Sequence, residues 1–277
     1  MEHPHDSPDD NSRLLELLSA KCASSWLTTL PLREHAFWLS KQDFRDALAL
    51  RYDWQMEAVP ASCVCGTDFT TDHAMICPVG GYPTIRHNEL RDLMGSLLSE
   101  VCHNVAVEPL LQRLDGEVFS SKTTNTSQEA RADVRAAGFW TRQENAFFDI
   151  RVFHANALSY ASKSIADAFE LHERRKQLEY EERIINVDHG SFCPLVFSTK
   201  GGTGPLCERF LKRLGGMLAE KDHAEYSVVM AWLRCRIAFA LQRNAVMCIR
   251  GSRSQRGHPT QHDRQLSVAE SRLSVDL

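Results

Sequence analysis

The order of apolar periodicities between residues 88 and 249 restricts this chain to a narrow set of folds. Leu90, Leu93, Met94, Leu97 and Val101 recur at helical spacing, which predicts a helix from about Asn88 to Val101. A short β-rich run follows over 104–109. Two further strand-like runs lie around 131–137 and 146–153, and the polar stretch from Gly138 to Asn145 joins them as a hairpin. A long helical pattern covers about Ser159 to Ile184, and Pro194-Leu-Val-Phe-Ser-Thr reads as a buried strand. Gly201-Gly-Thr-Gly turns the chain, Pro205 opens a helix to about Lys221, and a last helix covers roughly 224–249. The resulting order αβββαβα predicts an α/β domain with a central sheet flanked by helices.

Size and composition agree with that class. A chain of 277 residues can bury a substantial core around one domain of about 150 residues. Hydrophobic content of 43% and charged content of 25% exclude disorder throughout. The net charge of −4 excludes indiscriminate attraction to nucleic acid, so any such contact must come from local basic clusters. Nine cysteines, an odd number, point to free buried thiols in a reducing, intracellular compartment. The opening MEHPHDSPDDNS has no apolar core and is not a secretory signal, and no run is long enough for a membrane span.

Composition divides the chain into segments. Residues 1–12 read as a disordered leader and 13–60 as a helical region interrupted at Pro31. There Phe44, Leu48 and Tyr52 line one helix face, and Trp26, Phe37, Trp38 and Trp54 are expected to fill a small core. The minority alternative is an aromatic platform for nucleic acid. Residues 61–82 carry a knuckle, 83–222 the α/β domain and 223–250 a C-terminal helix, while 112–129 read as an exposed loop. The Ser-, Arg-, Gln- and His-rich 251–277 read as a disordered tail.

The knuckle is the string CVCGTDFTTDHAMIC, with Cys63, Cys65, His73 and Cys77. Three thiolates and an imidazole within 15 residues can close a tetrahedral structural Zn²⁺ site. Gly66 supplies the positive φ that a thiolate-bearing turn often needs. The competing reading makes the cysteines small buried hydrophobes.

A second constellation lies in the predicted sheet. Asp133 and Asp149 fall in adjacent strands with side chains on one face, and Arg151 shares that face by alternation. Glu108, ending the preceding strand, is a third candidate carboxylate, with Glu89 and Glu100 on the preceding helix as alternatives. In the long helix, Ile165, Phe169, His172, Lys176 and Tyr180 form one stripe, which draws Lys176 toward the sheet. A buried ammonium needs a partner, and Asp149 or a metal-bound phosphate can provide one. Paired carboxylates with a lysine suit metal-dependent phosphodiester hydrolysis. A plain Asp149–Arg151 salt bridge, or a Lys176 that snorkels into water, explains the same residues without chemistry.

These residues together resemble the restriction-like endonuclease region, a PD-(D/E)xK variant, found at the C-terminus of site-specific non-LTR retrotransposon proteins. The matching order is Cys63, Cys65, His73 and Cys77, then Arg86-His87, Arg131-Ala-Asp133, Asp149, and His172-Glu-Arg-Arg-Lys176 followed by Tyr180. The resemblance covers about residues 63–200. Ala132 stands where the family has proline, and no Tyr-x-Asp-Asp polymerase signature is present.

The resemblance implies an αβββαβ restriction-endonuclease-like core and Mg²⁺- or Mn²⁺-dependent cleavage of DNA in the nucleus, with a separate reverse transcriptase as partner. On this reading Asp133 and Asp149 hold the catalytic metal and Lys176 steadies the nucleophile. Glu108 and Arg151 assist, and His172 and Tyr180 are auxiliary. Arg86, His87, Arg174 and Arg175 then bind nucleic acid. The alternative function is a catalytically inert zinc module that binds DNA or RNA.

Overall fold

The computed structural model describes residues 8–112, 130–160 and 162–251. The chain is mixed α/β, with seven α-helices and a four-stranded mixed sheet among the described residues. Helices α1 (Pro8–Ser19), α2 (Lys41–Tyr52) and α3 (Thr71–Ile76) precede α4 (Tyr82–Ser99). Then come β1 (His103–Val107), β2 (Val134–Ala137), β3 (Asn145–Phe153), α5 (Ile165–Asn186), β4 (Ser191–Ser198), α6 (Pro205–Asp222) and α7 (Tyr226–Arg250). The α4-to-β4 segment therefore runs αβββαβ.

The sheet order is β1-β2-β3-β4. The first three strands are antiparallel neighbours, and β4 returns parallel to β3 after the α5 crossover. In the β2–β3 hairpin Gly138 takes φ +87° and donates its N–H to Glu144 O. Alternation along β3 divides the domain into layers. Phe148, Ile150 and Val152 point into the main core with α4, α6 and α7, where Phe139, Phe148 and Phe210 pack ring to ring. Phe147 and Phe153 point the other way, against α5. Asp149 lies between them in sequence and shares their face.

Two long-range contacts hold the helical layers. Helix α6 begins after Gly204, which has no side chain to cap it, and Glu173 of α5 accepts the Leu206 N–H at 2.9 Å. A Cβ on Gly204 would run into that carboxylate, so glycine there makes room for the cap. Helix α7 is apolar on nearly every side. It packs into the main core through Leu233, Ile237 and Leu241, against Trp26 and Phe37 through Phe239, and against the knuckle region through Ala245 and Ile249. Arg250 grips the buried Asp46 of α2 with two hydrogen bonds of 2.7 Å. No described helix is long and apolar enough to cross a membrane.

Several boundaries differ from the sequence expectation. Helix α1 starts at Pro8, inside the stretch read as a leader, because proline is tolerated in a first helical turn. Residues 1–7, 113–129, 161 and 252–277 lie outside the described residues, and with them most of the expected exposed loop and the expected tail. Helix α4 starts at Tyr82, earlier than expected. Gly81 at φ +72° supplies the entry, and Pro83 sits in the first turn, where its missing N–H costs nothing. Strand β4 runs through Pro194, which an edge strand permits.

The α2 stripe is divided, with Leu48 packed against the Trp26 and Phe37 cluster and the Phe44 ring edge-on to Trp26. Phe44 and Tyr52 are exposed, while Asp46, Ala47 and Ala49 form the buried face. Trp26 and Phe37 are buried as expected, but Trp38 and Trp54 are exposed.

Candidate metal centre and carboxylate site

The knuckle is built from a tight turn and a short helix. Gly66 at φ +88° returns its N–H to Cys63 O, and the Cys63 N–H donates to Thr67 O, which points Cys63 and Cys65 to one side. Thr70 caps α3 by accepting the His73 N–H at 3.0 Å, and the Cys77 N–H closes the last turn on His73 O. Helical spacing thus places His73 and Cys77 on one face.

The four ligand atoms all lie within 4.8 Å of one another. Cys63 Sγ and Cys77 Sγ are 3.8 Å apart, and Cys65 Sγ is 3.2 Å from His73 Nε2. A tetrahedron with zinc–sulfur bonds of about 2.3 Å has sulfur–sulfur edges of about 3.8 Å, so this cluster fits a metal such as zinc. Hydrogen bonds from Thr67 pull the Cys65 thiol down to about 6, toward the thiolate a metal requires, whereas burial holds Cys77 up. Nothing else among the described residues gathers three or more His, Cys, Asp or Glu groups in this way.

The knuckle is tied to the sheet by a buried histidine that sequence reading missed. His154, just past β3, meets Thr199 Oγ1 at 2.8 Å through Nδ1 and Asp72 Oδ1 at 2.7 Å through Nε2. Asp72 precedes the ligand His73 in α3. His154 is 82 residues from Asp72 and 45 from Thr199 in the chain, so no local spacing signals the link.

The carboxylate pair sits where β2 meets β3. Asp133 donates its N–H to Phe148 O at 3.1 Å and accepts the Ile150 N–H at Oδ2 at 2.6 Å, contacting both neighbours of Asp149. Its other oxygen, Oδ1, lies 3.0 Å from His87 Nε2. Asp149 is buried, and Lys176 Nζ reaches it from α5 at 3.1 Å to Oδ2 and 3.3 Å to Oδ1. Lys176 also lies 3.5 Å from Glu179 and over the Tyr180 ring, 5.1 Å from its centroid.

The electrostatics follow from burial and this pairing. Burial and the Asp133 charge raise the Asp149 carboxyl to about 7, against the pull of Lys176 and His87. Burial alone would lower Lys176, but Asp149 and Glu179 outweigh it, and the ammonium stays charged. His87 is likewise pulled down by burial and up, by more, through Asp133 and Asp149. Tyr180 is pushed well above its usual value by burial and by the neighbouring carboxylates, so it stays a neutral phenol.

Known protein families and curated proteins offer no match to this sequence. Oδ2 of Asp149 is buried and accepts no well-aligned hydrogen bond, although the Lys176 ammonium is nearby. The pair thus presents two carboxylates, with the Lys176 ammonium on Asp149 and with His87 and the Ile150 N–H on Asp133.

The other sequence candidates are placed less favourably. Glu108 lies beside Asp133 in the sheet, its N–H on Asp133 O at 2.8 Å, but its carboxylate is taken by Arg91. Glu100 pairs with Lys221 at 2.8 Å, and Glu89 is exposed on α4. Arg151 is exposed on the Asp149 face. Arg86 is buried and donates to Met75 O, so it braces α3 and does not reach a phosphate. His87 is held on Asp133. Arg174 and Arg175 are exposed on α5. His172 is buried between Phe153 and Tyr160, and burial with the Arg151, Arg175 and Lys176 charges pulls it down to about 4, which keeps it neutral.

Proposed function

We propose that this chain is a metal-dependent DNA endonuclease of retrotransposon origin with a restriction-like core. One observation carries the reading: the Lys176 ammonium rests on buried Asp149, and Asp133 lies alongside, in a segment of order αβββαβ. That combination supplies metal-binding carboxylates and a cation at one point on a sheet.

On this reading Asp133 and Asp149 hold Mg²⁺ or Mn²⁺, which when bound supplies Lewis-acid polarisation of a phosphodiester. Lys176 orients the attacking water and offsets charge that develops on the phosphate. Its link to Asp149 and its position over Tyr180 restrict the side chain before substrate arrives. Burial of Asp149 excludes water from the carboxylate, so its charge depends on nearby cations. Exposed Arg151, Arg174 and Arg175 offer charge to the phosphate backbone on either side. Cys63, Cys65, His73 and Cys77 form a structural zinc centre, braced to the sheet through Asp72 and His154. The chain would act in the nucleus beside a separate reverse transcriptase.

A second reading, an inert zinc-containing nucleic-acid-binding module, is favoured by two contacts. Both Asp133 oxygens already have protein partners, and Arg91 holds Glu108, the acid nearest to it in the sheet. Supercoiled plasmid incubated with zinc-loaded protein separates the readings. Conversion to nicked circles that requires Mg²⁺ or Mn²⁺ supports the endonuclease; salt-sensitive binding without nicking in either metal supports the inert module.

A further inference from the structure

The exposed face of α2 is unusual for a surface helix. Lys41, Phe44, Arg45, Leu48 and Tyr52 fall within an arc of about 100°. The sequence places Phe44, Leu48 and Tyr52 on one face of this helix. Phe44 is 42% exposed and Tyr52 46%, and the helix turns its alanines to the core. An open groove runs along this face between α2 and the 31–40 segment, with Trp38, itself 40% exposed, on its wall.

One aromatic platform lines this groove and a second stands beyond it at the C-terminal end of α2, each with an arginine on it. The Arg33 guanidinium lies 4.5 Å from the Trp38 ring centroid. Tyr52 and Trp54 stack at 4.9 Å with an interplanar angle of 23°, and Arg51 lies over Tyr52. The charged residues lining the groove are Arg33, Lys41 and Arg45 against one anion, Glu34, and at the second platform Arg51 stands beside exposed Asp53. Asp43 is committed to capping α2 through Ser40, and Asp46 to Arg250. A groove that is locally basic on a chain of net charge −4 is complementary to a polyanion. A second copy fits poorly, since a two-fold interface would place two such basic grooves together.

We infer that the α2 face binds single-stranded DNA, with unpaired bases stacked on Trp38 and on the Tyr52–Trp54 pair and the backbone following Arg33, Lys41 and Arg45. Flat exposed rings beside cations suit bases whose faces are free, which duplex DNA does not offer. The helix is about 18 Å long, room for several stacked nucleotides at about 3.4 Å each. The choice of DNA over RNA rests on the proposed endonuclease; the surface itself does not depend on it.

The test is fluorescence polarisation of the intact, zinc-loaded chain with labelled oligothymidylate of about 15 nucleotides, within the usual range of such sites. The same measurement uses duplex DNA and RNA of equal length. Single-stranded DNA should bind at least tenfold tighter than duplex and tighter than RNA. Trp38→Ala with Tyr52→Ala should weaken it at least tenfold while the thermal melt stays unchanged, because both rings are exposed. Arg33→Ala with Arg45→Ala should flatten the salt dependence.

Unchanged affinity in the aromatic variant overturns the inference, as does tighter binding of RNA. So does dimerisation in sedimentation that the same substitutions abolish. The outcome is separable from the nuclease reading. Plasmid nicking without oligothymidylate binding defeats only this inference, and binding without nicking defeats only the endonuclease.

Discussion

Asp133 brackets Asp149: its N–H bonds Phe148 O and its carboxylate receives the Ile150 N–H, which holds two acids side by side across one strand. The β2–β3 ladder enforces that proximity, since Val134 pairs with Phe148. Two ionised carboxylates this close repel unless cations intervene. Lys176 and His87 partly answer the charge, and Asp149 nonetheless remains raised to about 7.

The first prediction concerns pH. A carboxyl raised in the fold lowers stability as pH climbs, because the unfolded chain ionises at about 3.9 while the folded one resists until about 7. In magnesium-free buffer the wild type should therefore lose stability, relative to Asp149→Asn, between about pH 4 and 7, by an amount on the order of a few kcal/mol. Paired urea melts at pH 5 and pH 8 measure it. Equal pH dependence of the two proteins contradicts the raised carboxyl.

Zinc should be present at one ion per chain. Cys65→Ser or chelation should loosen residues 60–80 first, seen as faster amide exchange there, with a lower melting temperature. Because His154 ties Asp72 to Thr199, the loosening should extend to the ends of β3 and β4. Protein that carries no zinc and melts the same with chelator refutes the metal centre.

The α2–α7 clamp should matter for stability independently of chemistry. Asp46→Ala strips a bidentate partner from Arg250 and should cost about 1.5–3 kcal/mol, the scale for hydrogen bonds to a charged group, because the guanidinium left behind is partly exposed. Chemical denaturation checks it. A loss under about 1 kcal/mol would place the clamp with weak surface pairs.

Much of the carboxylate site was legible because it depends on local periodicity. Alternation put Asp133 and Asp149 on one face, and the 3.6-residue stripe aimed Lys176 at the sheet. The Cys63, Cys65, His73 and Cys77 set was legible from spacing, since its ligands lie within one turn and one short helix. What failed depends on tertiary choices. Arg86 reads as a basic surface residue, yet it is buried against Met75 O because α4 begins six residues early and carries it inward. Phe44 and Tyr52 form an apolar stripe that a core would normally take, but Ala47 and Ala49 permit a closer approach to α7 and are buried instead. Glu108 reaches the right strand, and Arg91 takes its side chain.

The most direct measurement compares plasmid nicking in Mg²⁺ by wild type, Asp149→Ala and Lys176→Met. Asp149→Ala leaves the packing of Phe147, Ile150 and Val152 in place, and Lys176→Met keeps the aliphatic stem, so both should stay folded and bind DNA. Each should cut at least about 10²–10³-fold more slowly, the scale for losing one preorganised electrostatic group. Wild-type nicking with both variants slowed to that degree is the predicted result; nicking by both at the parental rate would contradict the assignment of Asp149 and Lys176 to catalysis.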